Sequence, residues 1–121
     1  MSRLEALAET HGIRFFLISF SDLFGVQRAK LVPRSAIAAM EDAGAGFAGF
    51  ASWLDMTPAD ADVLAVPHPP SAMVLPWQPE VAWVPADLVM NGEVVEQAPR
   101  RVLQRQVEAA ATLGVELRSG V

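Results

Sequence analysis

Phe16-Leu17-Ile18-Ser19-Phe20-Ser21-Asp22-Leu23-Phe24-Gly25, continued after a short interval by Lys30-Leu31-Val32-Pro33, is the stretch on which the fold turns. From Ile13 to Ser21 the chain is rich in Ile, Phe and Leu. Phe16, Ile18 and Phe20 share one parity and Phe15 and Leu17 the other, which reads as a strand covered on both faces. Asp22-Leu23-Phe24-Gly25 has Asp first and Gly fourth, the preferences of a type I turn. Val26 to Val32 is a second, more polar strand carrying Gln27, Arg28 and Lys30. The two predict a hairpin with one solvated side. Arg28 and Lys30 are placed to hold a phosphate, although a solvated sheet face is the simpler reading.

Outward from the hairpin, Ser2 and Glu5 have capping-box spacing, Leu4, Leu7 and Ala8 fall on one helical face, and Gly12 is a stop, so a helix is predicted over residues 3–10. On the other side, Pro33 suits the first turn of a helix running over Ser35 to Asp42. Short strands are expected at Asp62 to Val66 and Ala72 to Leu75, flanking Val66-Pro67-His68-Pro69-Pro70, with a longer one at Val81 to Val89. Asn91-Gly92 signals a hairpin back through Glu96. Pro99 opens the longest helix, over 99–113, with Leu103, Val107 and Ala110 as its apolar stripe and Gly114 as its end. Val115-Glu116-Leu117-Arg118 reads as the start of another strand, and the chain as part of something longer. Strands with few crossover helices give an α+β class: a small mixed sheet with a helix packed on one face.

Composition excludes several functions. Apolar residues at 52% and charged residues at 19% of 121 exclude disorder, and the length suits one domain. A net charge of −5, with nine scattered Lys and Arg, argues against nucleic acid. The absence of cysteine removes disulfides, thiolate metal sites and cysteine nucleophiles, and fits a cytoplasmic setting. No apolar run approaches the roughly 18 residues of a membrane span, so no membrane partner is expected.

Between the two halves lies Gly44 to Asp62, glycine-rich, then aromatic, then acidic, without a sustained period. Long irregular connections inside small domains tend to carry function. Gly44-Ala45-Gly46-Phe47-Ala48-Gly49 matches a dinucleotide fingerprint in letters only, because it follows a helix rather than a strand. Asp55, Asp60 and Asp62 lack calcium-loop spacing. They read as a solvated loop, with Thr57-Pro58-Ala59-Asp60 as a helix N-cap, or as an anionic patch for a cationic partner. His11 and His68 are far apart in sequence and read as surface or structural residues, so no metal site is expected. Ser52 and Ser71 have no Gly-x-Ser-x-Gly elbow and no triad partners. Trp53, Trp77 and Trp83 read as core or interface aromatics.

These signals, in their order, resemble the N-terminal β-grasp domain of glutamine synthetases. The opening hairpin matches. Gly46-Phe47-Ala48-Gly49 resembles the family's Gly-Phe-Asp-Gly, and Asp60-Ala61-Asp62-Val63 its Glu-Ser-Asp-Met. Leu75-Pro76-Trp77-Gln78-Pro79 and Ala98-Pro99-Arg100-Arg101-Val102-Leu103 continue the pattern. The resemblance implies an N-terminal helix at 1–12, a β-grasp domain at 13–97, and the start of a catalytic domain at 98–121. It implies ATP-dependent amidation of glutamate by ammonia, with ATP and Mg2+ or Mn2+ bound in the catalytic domain and none by this portion, which alone would be inactive. It further implies a homo-oligomeric ring in which Phe47, Ala48, Gly49, Phe50, Ala51, Ser52 and Trp53 edge a neighbouring subunit's amine pocket, with Asp62 catalytic in trans. The chain departs from the family where Ala48 replaces an aspartate and Phe50 and Ala51 replace two serines. Losing that carboxylate costs about 1–3 kcal/mol of cation binding. Either Asp55 or Asp60 compensates, or the nucleophile is a larger amine such as methylamine, as in the divergent GlnT-type and γ-glutamylmethylamide synthetase-like branch. A free-standing β-grasp interaction module is the remaining alternative.

Overall fold

The hairpin forms as its alternation dictates. In the computed structural model, which describes residues 1–120, β1 (Phe15–Ser21) pairs antiparallel with β2 (Gln27–Pro33), from Phe15 opposite Pro33 to Ser21 opposite Gln27. Asp22 builds the turn. Its Oδ1 accepts the N–H groups of Phe24 and Val26 at 2.9 and 3.0 Å, its carbonyl accepts that of Gly25 at 3.0 Å, and Arg28 Nε donates to Oδ2 at 2.9 Å. Burial pushes the Asp22 carboxyl up, but the Val26 N–H, the Arg28 guanidinium and the Phe24 N–H together outweigh it and leave it below the usual aspartate value.

The register sets the basic residues of β2 on the core-facing side of the hairpin, although Lys30 stays exposed there, as a solvated face requires. Arg28, Lys30 and Val32 stand opposite Phe20, Ile18 and Phe16, whose side chains are in the core. The basic side of β2 is therefore the interior side of an edge strand, because the sheet curls and β2 lies at its rim.

The sheet order is β2-β1-β6-β4-β3, with β3 at Ala45–Phe47, β4 at Val63–Pro67 and β6 at Gln78–Met90. β5 (Met73–Leu75) and β7 (Glu93–Val94) also pair with β6. Among the described residues only β1 and β6 run parallel, so the sheet is mixed and nearly closes into a barrel. β6 is longer than expected. Pro79 and Pro85 lie within it, and Pro85 sits in the parallel register opposite Ser19. Its alternate residues Ala82, Val84, Ala86 and Leu88 join Phe16, Ile18, Phe20, Val63 and Ala65 in one core. Asn91 and Gly92 both take positive φ, 52° and 80°, as the β6–β7 hairpin requires.

Helix α1 (Arg3–His11) has both capping-box bonds, between Ser2 and Glu5, and ends at Gly12 in the left-handed conformation. Helix α2 (Ile37–Ala43) starts later than expected, after a 3-10 turn at Arg34–Ala36, because Pro33 completes β2. Glu41 of α2 accepts the N–H groups of Arg3 and Leu4 at 3.2 and 2.9 Å, so α2 caps α1. Leu4, Ala8, Ile13 and Ile37 complete the core.

Helix α3 (Pro99–Thr112) lies against β1 and β6 on the outer side. Asp87 Oδ1 accepts from Arg100 Nε at 2.9 Å and Gln104 Nε2 at 2.8 Å. The expected apolar stripe is not buried: Leu103 is 61% exposed and Val107 44%. The strand expected from Val115 does not form, since no strand among the described residues lies beside it to supply a ladder. None of the three tryptophans is buried; Trp77 sits exposed in the β5–β6 turn. The α+β class stands.

Candidate functional site

The irregular connection is shorter than its sequence suggests. Ala45–Phe47 is a strand, with Ala45 opposite Ala65, Gly46 opposite Leu64 and Phe47 opposite Val63. Gly44 makes the corner from α2 into β3. Its φ is 81°, and a Cβ there would lie 3.1 Å from Leu64 Cβ and 3.2 Å from the Ala65 backbone. The connection proper runs over residues 48–62.

Gly49–Ser52 is a 3-10 turn. Ala51 N–H and Ser52 Oγ both donate to the Ala48 carbonyl, at 3.1 and 3.3 Å. Gly49 is buried, and a Cβ on it would overlap Met56 Sδ and come within 2.9 Å of Val63 Cγ2. Trp53 and Asp55 are left-handed, with φ of 52° and 58°. Leu54 between them is fully buried, and its carbonyl accepts from Gln97 Nε2 at 3.0 Å. The segment is thus pinned at Leu54 while Trp53 and Asp55 turn outward. Such positions are costly for non-glycine residues and persist where the surroundings enforce them.

The predicted site residues divide accordingly. Gly49 and Ser52 are buried, and Phe47 is half-buried, packed edge-on against Phe20 at 4.9 Å. Ala48, Phe50, Ala51, Trp53 and Asp62 are exposed. Asp62 immediately precedes Val63, the partner of Phe47, and so lies across the end of the ladder from Ala48. Its Oδ2 is 3.9 Å from where a Cβ on Gly46 would stand. Asp62 has no ion-pair partner among the described residues. Asp60 is engaged differently: its Oδ2 accepts the Thr57 N–H and Oγ1 at 2.6 and 3.0 Å, locking a turn where a helix N-cap was expected. Residues 57–62 form turns rather than a helix.

Sequence reasoning missed the contribution of the hairpin tip. Phe24, 74% exposed, packs edge-on against Trp53, 58% exposed, with ring centroids 5.5 Å apart. Together with Leu23, Phe50, Met56 and Asp55 they line an open cleft of ≈ 690 Å³. The available signal was Leu23-Phe24 itself, two large apolar residues at a turn tip where solvent normally selects polar ones. Aromatic faces beside a carboxylate, here Asp55, suit a small organic cation. Among the described residues no group of three or more His, Asp or Glu side chains could hold a metal ion. No helix among them is long and apolar enough to cross a membrane.

No family model matches the chain. It is 57% identical over 118 residues to a glutamine synthetase of Rhizobium leguminosarum bv. phaseoli, covering 98% of this chain and 27% of that protein. It is 34% identical over 115 residues to a glutamate–methylamine ligase of Methyloversatilis universalis, covering 93% of this chain and 26% of the relative. A solved structure of a GmaS/ADP complex superposes with a TM-score of 0.89 at 56% identity, over 93% of this chain and 26% of that one. The chain therefore spans about a quarter of the length of the relatives it matches.

Proposed function

We propose that the chain is the β-grasp portion of a glutamine synthetase-family, ATP-dependent ligase joining glutamate to ammonia or a small amine, a reading supported by its 57% identity to a glutamine synthetase over 118 residues. On this reading residues 13–97 are the β-grasp domain and 98–121 lead into the catalytic domain. The segment 48–62, with Phe47, edges the amine pocket of a neighbouring subunit in a cytoplasmic homo-oligomeric ring. On the same reading ATP and its Mg2+ or Mn2+ are bound in the part of the ligase beyond the quarter of the relatives' length that this chain spans.

The observation that carries the proposal is Asp62, an exposed carboxylate without an ion-pair partner, across the β3–β4 ladder from Ala48. The nucleophile arrives as a cation and must lose a proton before its nitrogen lone pair can attack an activated γ-carboxyl. A carboxylate on the rim attracts the cation and accepts the proton. Asp60 is occupied by Thr57, so Asp62 carries this role, with Asp55 on the cleft wall.

A second reading, methylamine as nucleophile, is favoured by the exposed apolar surface of Phe24, Phe50 and Trp53 together with the missing carboxylate at Ala48. The test is Ala48→Asp in the full-length ligase, with kcat/KM measured for ammonium and methylamine. We expect the ratio to move toward ammonium by about tenfold, the equivalent of roughly 1.4 kcal/mol. An unchanged ratio would mean that position 48 does not face the amine.

A further inference from the structure

The two cations on the interior side of β2 hold no common ligand. Arg28 is engaged by Asp22. Lys30 reaches across the open seam of the sheet, where its Nζ donates to the Gly46 carbonyl and stands 5.0 Å from the Phe47 ring centroid. Phe47 packs in turn on Phe20. Among the described residues no ladder joins β2 to β3; they are the two ends of the strand path. One side chain does there what a row of backbone hydrogen bonds does elsewhere in the barrel.

We propose that Lys30 is a positioning residue for the amine-pocket segment. It fixes Gly46 and Phe47, the last two residues before Ala48, and through the β3–β4 pairing it also sets where Asp62 stands. The inference rests on the reading of 48–62 as the edge of an amine pocket.

Two effects of Lys30 have opposite sign, which makes the role testable. As a cation near a cationic nucleophile it repels, so removing its charge alone lowers the amine KM. As a tether it holds the rim in place, so removing it raises the amine KM. The tether dominates. Lys30 is exposed and its field is screened by water and salt, whereas a misplacement of about 1 Å in a catalytic constellation costs roughly a hundredfold in rate.

The experiment compares Lys30→Met and Lys30→Arg in the full-length ligase by hydrogen–deuterium exchange and steady-state kinetics. Methionine keeps the unbranched apolar stem and loses the donor; arginine keeps a donor and the charge. In Lys30→Met we expect faster amide exchange over residues 45–53 and a several-fold higher amine KM, with the glutamate KM unchanged, and recovery of both in Lys30→Arg. Unchanged exchange, or a lower amine KM, overturns the tether. Faster exchange with an unaltered amine KM, in a protein whose Ala48→Asp variant does shift amine preference, overturns the positioning role alone. If neither Lys30→Met nor Ala48→Asp moves the amine kinetics while exchange rises, the amine-pocket reading falls, and the assignment of Lys30 to the amine falls with it.

Discussion

A carboxylate at a hairpin tip is ordinarily solvated, but Asp22 is enclosed by the donors it organises: two backbone N–H groups and the Arg28 guanidinium. Its carboxyl group lies below its ordinary value of 3.8 in the folded chain. The unfolded chain therefore takes up the proton at higher pH than the folded one, and the stability contributed by Asp22 is complete above the unfolded value and lost as pH falls through the folded one. Asp22→Asn keeps an Oδ1 acceptor for Phe24 and Val26 and loses the charge facing Arg28. Denaturant midpoints should show the variant weaker at pH 7, with the gap closing as pH falls below about 4. A gap independent of pH would mean that the charge is immaterial. Glu41 is shifted in the same direction. Burial raises its pKa, and the Leu4 N–H, the Ser2 side chain, the Arg3 N–H and the Arg3 charge more than reverse this. The turn at Asp22 and Gly25 was legible because its cause is local. The enclosure of Asp22 was not, because it depends on Arg28 facing inward, and that is set by the curl of the whole sheet.

At the scale of the element, α1 and the β1–β2 hairpin could be read because their determinants lie within a few residues of one another. β3 could not. Three residues of small or single aromatic side chains carry no measurable period, and they become a strand only because Val63–Ala65 supplies a partner. Helix α3 gave the opposite error: a 3.6-residue period reports that one face is apolar and says nothing of what meets it. Within the 48–62 connection, glycine is required at position 49 by close contact with Met56 and Val63. Gly49→Ala should destabilise by about 1–3 kcal/mol, the usual cost of overpacking. Met56 can swing away, but Val63 Cγ2 is fixed by its strand. Chemical denaturation of the variant checks this. In a double-mutant cycle with Val63→Ala, itself costly because Val63 is fully buried, the combined loss should be less than additive, and additivity would place the strain elsewhere.

For the whole molecule, the class and the rim carrying the candidate site were legible, whereas the role of β6 was not. Strand identity is visible in sequence, but pairing partners far apart are chosen by the core they jointly bury. Asp87 ties α3 to this body through Arg100 and Gln104. Asp87→Ala should therefore speed amide exchange over residues 99–105 by tenfold or more, as expected for losing roughly 1.4 kcal/mol or more of local stability. Exchange at Phe16, Ile18 and Val84 should be unchanged, and a coupled rise there would show that α3 is part of the barrel's cooperative unit. The parallel pairing of Phe15 with Val81 has a further consequence, for synthesis rather than stability. Ribosomes add roughly 5–20 residues per second, and a hairpin closes in about 1–10 μs. The β1–β2 ribbon therefore exists for seconds with Phe16, Ile18 and Phe20 bare before β6 emerges to cover them, and that interval is when the nascent chain most needs a chaperone.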